Sequence, residues 1–165
     1  MISTGRTTEP QPTTPPAWDD YWTTVGNEDF LYARELIELS SSVRAHFAGF
    51  LAWRDEPVMV EVPGRPSYDP GEPSPDGAVW RDIDLDWKAA AAAADAWGAS
   101  STERRLLDLV LSLVQPDTDS YWEDGRWVTT GTRLVDARDL GSMGSWRDDV
   151  AEILARYITG KAPLR

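Results

Sequence analysis

The stretch Ser100-Ser101-Thr102-Glu103-Arg104-Arg105-Leu106-Leu107-Asp108-Leu109-Val110-Leu111-Ser112-Leu113-Val114-Gln115 decides the fold of this chain. Ser101 reads as the cap of a helix over 102–114. At 100° per residue, Leu106, Leu107, Leu109, Val110, Leu111, Leu113 and Val114 leave only a thin polar stripe of Arg104, Asp108, Ser112 and Gln115. A helix apolar on nearly every side is a central one, and the remaining elements must pack around it.

Upstream lies Ala89 to Ala94, a run of six alanines with strong helix propensity and room for close approach by a neighbour. Asp84 or Asp86 is the expected cap, and Gly98 the expected stop after Trp97. Residues 27–53 carry a helical pattern capped by Asn27, with Phe30, Ala33, Leu36, Ile37, Val43, Phe47, Phe50 and Leu51 on one half of the wheel. We read one long helix there; Ser40-Ser41-Ser42 and Gly49 oppose it, and the alternative is a break followed by a strand. Val58–Val62 between two prolines reads as a short edge strand, with Ala78–Ile83 returning beside it. Downstream, Asp124-Gly125 between aromatic flanks signals a hairpin over 121–129. Ser145 reads as the cap of a last helix, in which Trp146, Val150, Ile153 and Tyr157 form an amphipathic stripe ended by Gly160.

The resulting expectation is a mainly α fold bordering on α+β: four or five helices with one or two short β-hairpins. Residues 1–16, Thr/Pro-rich with a weak P-x-x-P match at Pro12–Pro15, read as a disordered tail. Residues 17–165 read as a single globular domain with a Pro/Gly-rich loop at 63–77. Nine tryptophans supply ample core area, since each aromatic can bury about 150–250 Å².

With one histidine and no cysteine, His-rich metal sites, thiolate zinc sites, Cys–His pairs and redox dithiols are excluded. No phosphate-binding glycine loop, nucleophile elbow or zincin motif is present. The formal charge of −12, from 28 acidic against 16 basic residues, argues against direct binding of nucleic acid or anionic lipid. No run of about 18 apolar residues exists to span a membrane, and no apolar stretch near Met1 resembles a secretory signal, so a cytoplasmic location is expected. The Ala-, Arg- and Asp-rich composition with a single Asn fits a GC-rich bacterial genome.

Two acidic groups are candidates for chemistry. Asp82, Asp84 and Asp86 would share one face of a strand and could hold Mg²⁺ or Ca²⁺ through oxygens; the reading preferred here is charge at a helix N-terminus, with Asp84 and Asp86 capping. Asp117, Asp119, Glu123 and Asp124 around Tyr121, Trp122 and Trp127 hold the ingredients of a sugar-hydrolysing site; the reading preferred is a solvated hairpin with cross-paired aromatics. His46 reads as a half-buried structural residue. No catalytic, cofactor-binding or metal-ligating residue is assigned and no cofactor is expected. The function expected is that of a non-enzymatic interaction protein, whether accessory subunit, adaptor or inhibitor of a basic partner, that binds another protein or itself. A carboxylate-dependent enzyme is the alternative, and a subunit of a homo-oligomer the third reading.

Overall fold

The computed structural model describes residues 4–66, 69–94, 96–115, 119–124, 126–130 and 140–164, with the backbone alone at 119–122 and 127–130. Among these are six α-helices, and 17% of the chain is strand in small sheets, so the fold is mixed α+β rather than mainly α. The chain forms two compact units, Met1–Thr24 with Leu51–Leu85 and Val25–Phe50 with Asp86–Arg165.

The first unit is built on a three-stranded antiparallel sheet of order β1-β5-β2, with β1 Gly5–Thr7, β2 Leu51–Pro57 and β5 Val79–Leu85. Along β5 Arg81, Ile83 and Leu85 are buried while Trp80, Asp82 and Asp84 are exposed, the alternation a pleated strand imposes. The inner face pairs Leu51 with Leu85, Trp53 with Ile83 and Asp55 with Arg81. Helix α1, Trp18–Thr24, packs on β5 and buries Trp18, Tyr21 and Trp22. Their rings meet edge to face, Trp22 lying 5.3 Å from Trp18 and 4.8 Å from Tyr21.

Two expectations are corrected here. The partner of β5 is Leu51–Pro57, a segment assigned in part to the long helix; the Val58–Val62 strand shrinks to β3, Met59–Val60, which pairs with β4, Glu72–Pro73. In that small ladder Gly71 has φ +85, and a Cβ there would fall 2.3 Å from the Val60 carbonyl oxygen. The residues read as a disordered tail, in turn, supply β1 and a strap across the inner face. Arg81, 5% exposed, grips Asp55 through two bonds of 2.8 Å and donates to the carbonyls of Glu9 and Pro10 at 3.0 and 3.2 Å. Gln11 donates to the Trp53 carbonyl, and the Trp53 indole N–H to the Thr14 carbonyl. The strap is held by backbone acceptors, which is why its lack of apolar residues did not leave it free.

In the second unit the expected long helix breaks. Helix α2 spans Glu28–Ile37 and α3 spans Ser41–Ala48. Leu39 and Ser40 close tight turns onto Leu36 and Ile37, and the Ser40 hydroxyl accepts from the Val43 N–H. A capping serine offers the backbone a bond that competes with the helix ladder, and here it wins. Asn27 caps α2 as expected, accepting from the Asp29 N–H.

Helix α4, Trp87–Ala94, turns its buried alanines 90, 91 and 94 inward and makes contact with α3 and α5, Ser101–Val114. It stops at Ala94 through tight turns at Ala96 and Trp97, three residues before the expected end. Helix α5 is central as read, packing on α2, α3 and α4 with Leu106, Leu107, Leu109, Val110 and Leu111 buried. Its cap is Ser100 rather than Ser101, in a reciprocal capping box with Glu103. A hairpin follows, β6 Asp119–Glu123 against β7 Arg126–Thr130, with Asp124 at φ +47 in the turn. The last helix, α6, spans Arg147–Ile158 behind a tight turn at Gly144–Trp146; Ser145 does not cap it. Gly160 (φ +64) and Lys161 donate to the carbonyls of Tyr157 and Arg156, the paired bonds of a Schellman stop.

The burial of α5 sets an expected outcome. Leu109, 4% exposed, becomes a cavity on truncation, so Leu109→Ala is expected to cost about 2–5 kcal/mol in urea unfolding. Ser112→Ala on the polar stripe should cost under about 0.5 kcal/mol. A second outcome concerns Arg81. Its guanidinium, first by hydrogen bonding, holds the Asp55 carboxyl below the usual carboxylate range. A depressed native pKa contributes stability at pH values above the ordinary carboxylate value, and that stability drains away as the pH falls through the native one. Asp55→Ala strands a buried cation and is expected to cost about 3–5 kcal/mol at neutral pH, with the deficit against wild type shrinking as acid protonates Asp55 in the wild type.

Candidate functional site

The acidic triplet divides between two elements. Asp82 and Asp84 stand on the exposed face of β5, whereas Asp86 caps α4 by accepting from the Ala89 N–H at 2.8 Å. The capping role expected for Asp84 falls to Asp86 alone. Arg54, opposite Asp82 on β2, pairs with Glu56 at 2.9 Å and with Asp84 at 3.8 Å. Among the described residues no group of three or more acidic or histidine side chains is placed to hold a metal ion.

The second candidate group falls on the β6–β7 hairpin. Glu123 and Asp124 are exposed, the side chains of Asp119, Tyr121, Trp122 and Trp127 lie outside the described set, and Asp117 lies outside the described residues. His46 is half-buried on α3, with Nε2 3.0 Å from the Ala90 carbonyl oxygen and its ring against Phe47, Phe50 and Trp97. These contacts join α3 to α4 and its following turn.

The feature that sequence reasoning missed is a groove between α2 and α6. Its volume is about 350 Å³, and it is lined by Arg34, Glu35, Glu38, Leu39, Asp149, Glu152, Ile153, Arg156 and Leu164. Ile153 is buried at its floor by the amphipathic stripe of α6. Arg156 and Glu35, 14% and 12% exposed, form a two-pronged ion pair across it, one prong at 2.9 Å. The Glu35 carboxylate also accepts from the Leu164 N–H at 2.7 Å, and the Tyr32 hydroxyl donates to the Lys161 carbonyl, so residues 161–164 are tied along α2. Glu38 is paired with Arg44 at 3.3 Å, and Glu152 stands 4.0 Å from the Arg156 guanidinium but is 71% exposed. With the Glu35–Arg156 pair cancelling, the rim of Arg34, Glu38, Asp149 and Glu152 remains net negative. The α6 stripe was visible in the sequence; that α2 lies beside it was not, because the pairing spans more than a hundred residues.

No family model matches the chain, and neither curated proteins nor solved structures yield a match. Among the described residues no helix is long and apolar enough to cross a membrane.

The capping role of Asp86 and the pairing of Asp84 with Arg54 give an expected outcome. Millimolar Mg²⁺ or Ca²⁺ should leave the melting temperature unchanged, whereas a hundredfold excess over Kd at a native-state site would add about 2.7 kcal/mol. A reproducible rise abolished by Asp84→Asn would show that the strand carboxylates gather a cation after all.

Proposed function

We propose that this protein acts by binding a basic partner protein, and that the α2–α6 groove receives it. The supporting observation is the combination in one cavity of an apolar floor, Leu39 and Ile153 with Leu164 at the margin, and a carboxylate rim of Glu38, Asp149 and Glu152. An apolar side chain of the partner gains by leaving water over Ile153, and lysines or arginines flanking it meet the rim. The fixed Glu35–Arg156 pair keeps the floor from collapsing and asks for no rearrangement on docking, which limits the entropic cost of association. The net charge of −12 speeds the encounter with a basic surface and repels acidic ones.

Asp149 and Glu152 are exposed, so reversing them should spare the fold. Wild type and an Asp149→Lys/Glu152→Lys double variant, matched in melting temperature, would serve as baits against a lysate of the source cell. The wild type is expected to retain a basic protein that salt progressively releases, because charges on an exposed rim are screened over about 10 Å at 0.1 M ionic strength. The variant is expected to lose it. Equal retention by both baits would remove the groove from the interaction.

A further inference from the structure

The outer face of the β1-β5-β2 sheet carries a feature that the partner-binding reading does not use. Trp80 stands in the middle strand of that face, 54% exposed, flanked in register by Arg6 on β1 and Glu56 on β2. A tryptophan on a three-stranded sheet normally turns toward the core, as Trp53 does on the half-buried side of β2, or is covered by apolar cross-strand neighbours. Trp80 has long charged neighbours instead. Next to it lies a cleft of about 220 Å³ lined by Arg54, Glu56, Trp80, Asp82, Ile83 and Asp84.

We propose that this cleft binds a neutral saccharide ring, stacked on the Trp80 indole. The chemistry is that of a flat apolar face bordered by both acceptors and a donor fork. A pyranose presents C–H bonds on its faces and hydroxyls around its rim, so its face lies on the indole. Its hydroxyls then donate to the carboxylates of Glu56, Asp82 and Asp84 and accept from the Arg54 guanidinium. Charged ligands of either sign meet an obstacle on this face. A nucleotide or other anion faces three carboxylates against one arginine. A cation must displace Arg54, which already pairs with Glu56 at 2.9 Å and stands 3.8 Å from Asp84. A neutral polyhydroxylated ring disturbs neither ion pair. Arg6, the remaining cation of this face, is engaged by Asp76 at 2.9 Å. The strands fix the register of these groups, and the pairs of Arg54 with Glu56 and Asp84 orient its long side chain beside Trp80.

The test is a titration of the ¹⁵N-labelled full-length protein with soluble gluco-, xylo-, manno- and chito-oligosaccharides, read at the Trp80 indole N–H cross-peak. The expected result is a saturable shift of that peak, and of the Asp82 and Asp84 amides, with at least one oligosaccharide at millimolar concentration. Trp80→Ala should weaken binding more than about tenfold, as removal of a stacking ring does, and Asp84→Asn should weaken it less. The groove variant Asp149→Lys/Glu152→Lys should bind the sugar as wild type does, which separates this site from the partner-binding reading. Absence of a saturable shift with every oligosaccharide would overturn the proposal. So would retained affinity in Trp80→Ala, or a shift produced by oligo-lysine and by no sugar. Should Trp80→Ala fail to fold, the map of shifted amides on the wild-type protein decides alone.

Discussion

A guanidinium removed from water must find an anion and enough acceptors for its remaining N–H groups, and the first unit of this protein is organised around that requirement at Arg81. The residue is 5% exposed at the centre of a three-stranded sheet. Asp55 supplies the anion through a two-pronged bond, and the carbonyls of Glu9 and Pro10 accept what is left. An ion pair of this kind adds little net stability over an apolar core of the same volume, but breaking it is costly. Its consequence is specificity. The register that sets Asp55 opposite Arg81 satisfies the charge while keeping Leu51 and Trp53 on the same inner face, whereas a slip of one residue would turn Ala52, Arg54 and Glu56 toward it. Residues 9 and 10 of the strap are ordered by the same demand, and residues 11 and 14 by bonds to Trp53.

The second unit is organised by apolar packing, with a polar knot where its helices begin. Glu103 closes the capping box of α5 and is also approached by the Ser40 hydroxyl that caps α3. Hydrogen bonding, chiefly from Ser42 and from Ser100, holds its carboxyl below the usual range. One carboxylate thus serves two helix N-termini, where the backbone N–H groups carry partial positive charge. The apolar stripe of α5 can then meet α2, α3 and α4 without leaving those helix ends unsatisfied.

What the sequence displayed is what local physics decides. The all-round leucines of α5, the alanines of α4, the Asp-Gly hairpin and the Gly160 stop each follow from neighbours a few residues apart. The elements that escaped reading depend on distant partners. Along β2 the inward positions are Leu51, Trp53 and Asp55, and the last is a charge, so the alternation that marks a half-buried strand is broken at the residue that matters most. Gly5-Arg6-Thr7 has no strand signal at all; β5 makes it a strand by offering an unpaired edge. The break at Ser40 was visible as a competing cap; its contact with Glu103, 63 residues away, was not.

The same distinction governs the candidate sites. Asp82, Asp84 and Asp86 alternate in sequence, and the strand sets the first two on one side. What gives that side its chemistry is the residue two before them and the strand beside them. Trp80 continues the alternation outward, and the antiparallel register brings Glu56 and Arg54 alongside. A pattern read as charge is, in the folded sheet, charge arranged about an aromatic ring. The α2–α6 groove shows the complementary case. Each helix alone is an ordinary amphipathic one, and the cavity exists because the Glu35–Arg156 pair fastens the two helices at one point while Leu39 and Ile153 leave a gap beside it. In the groove the cavity follows from how a half-buried ion pair is neutralised; on the sheet, ion pairs that stay in solvent border the ring, and in both places the pairing of distant elements, not composition, sets the position.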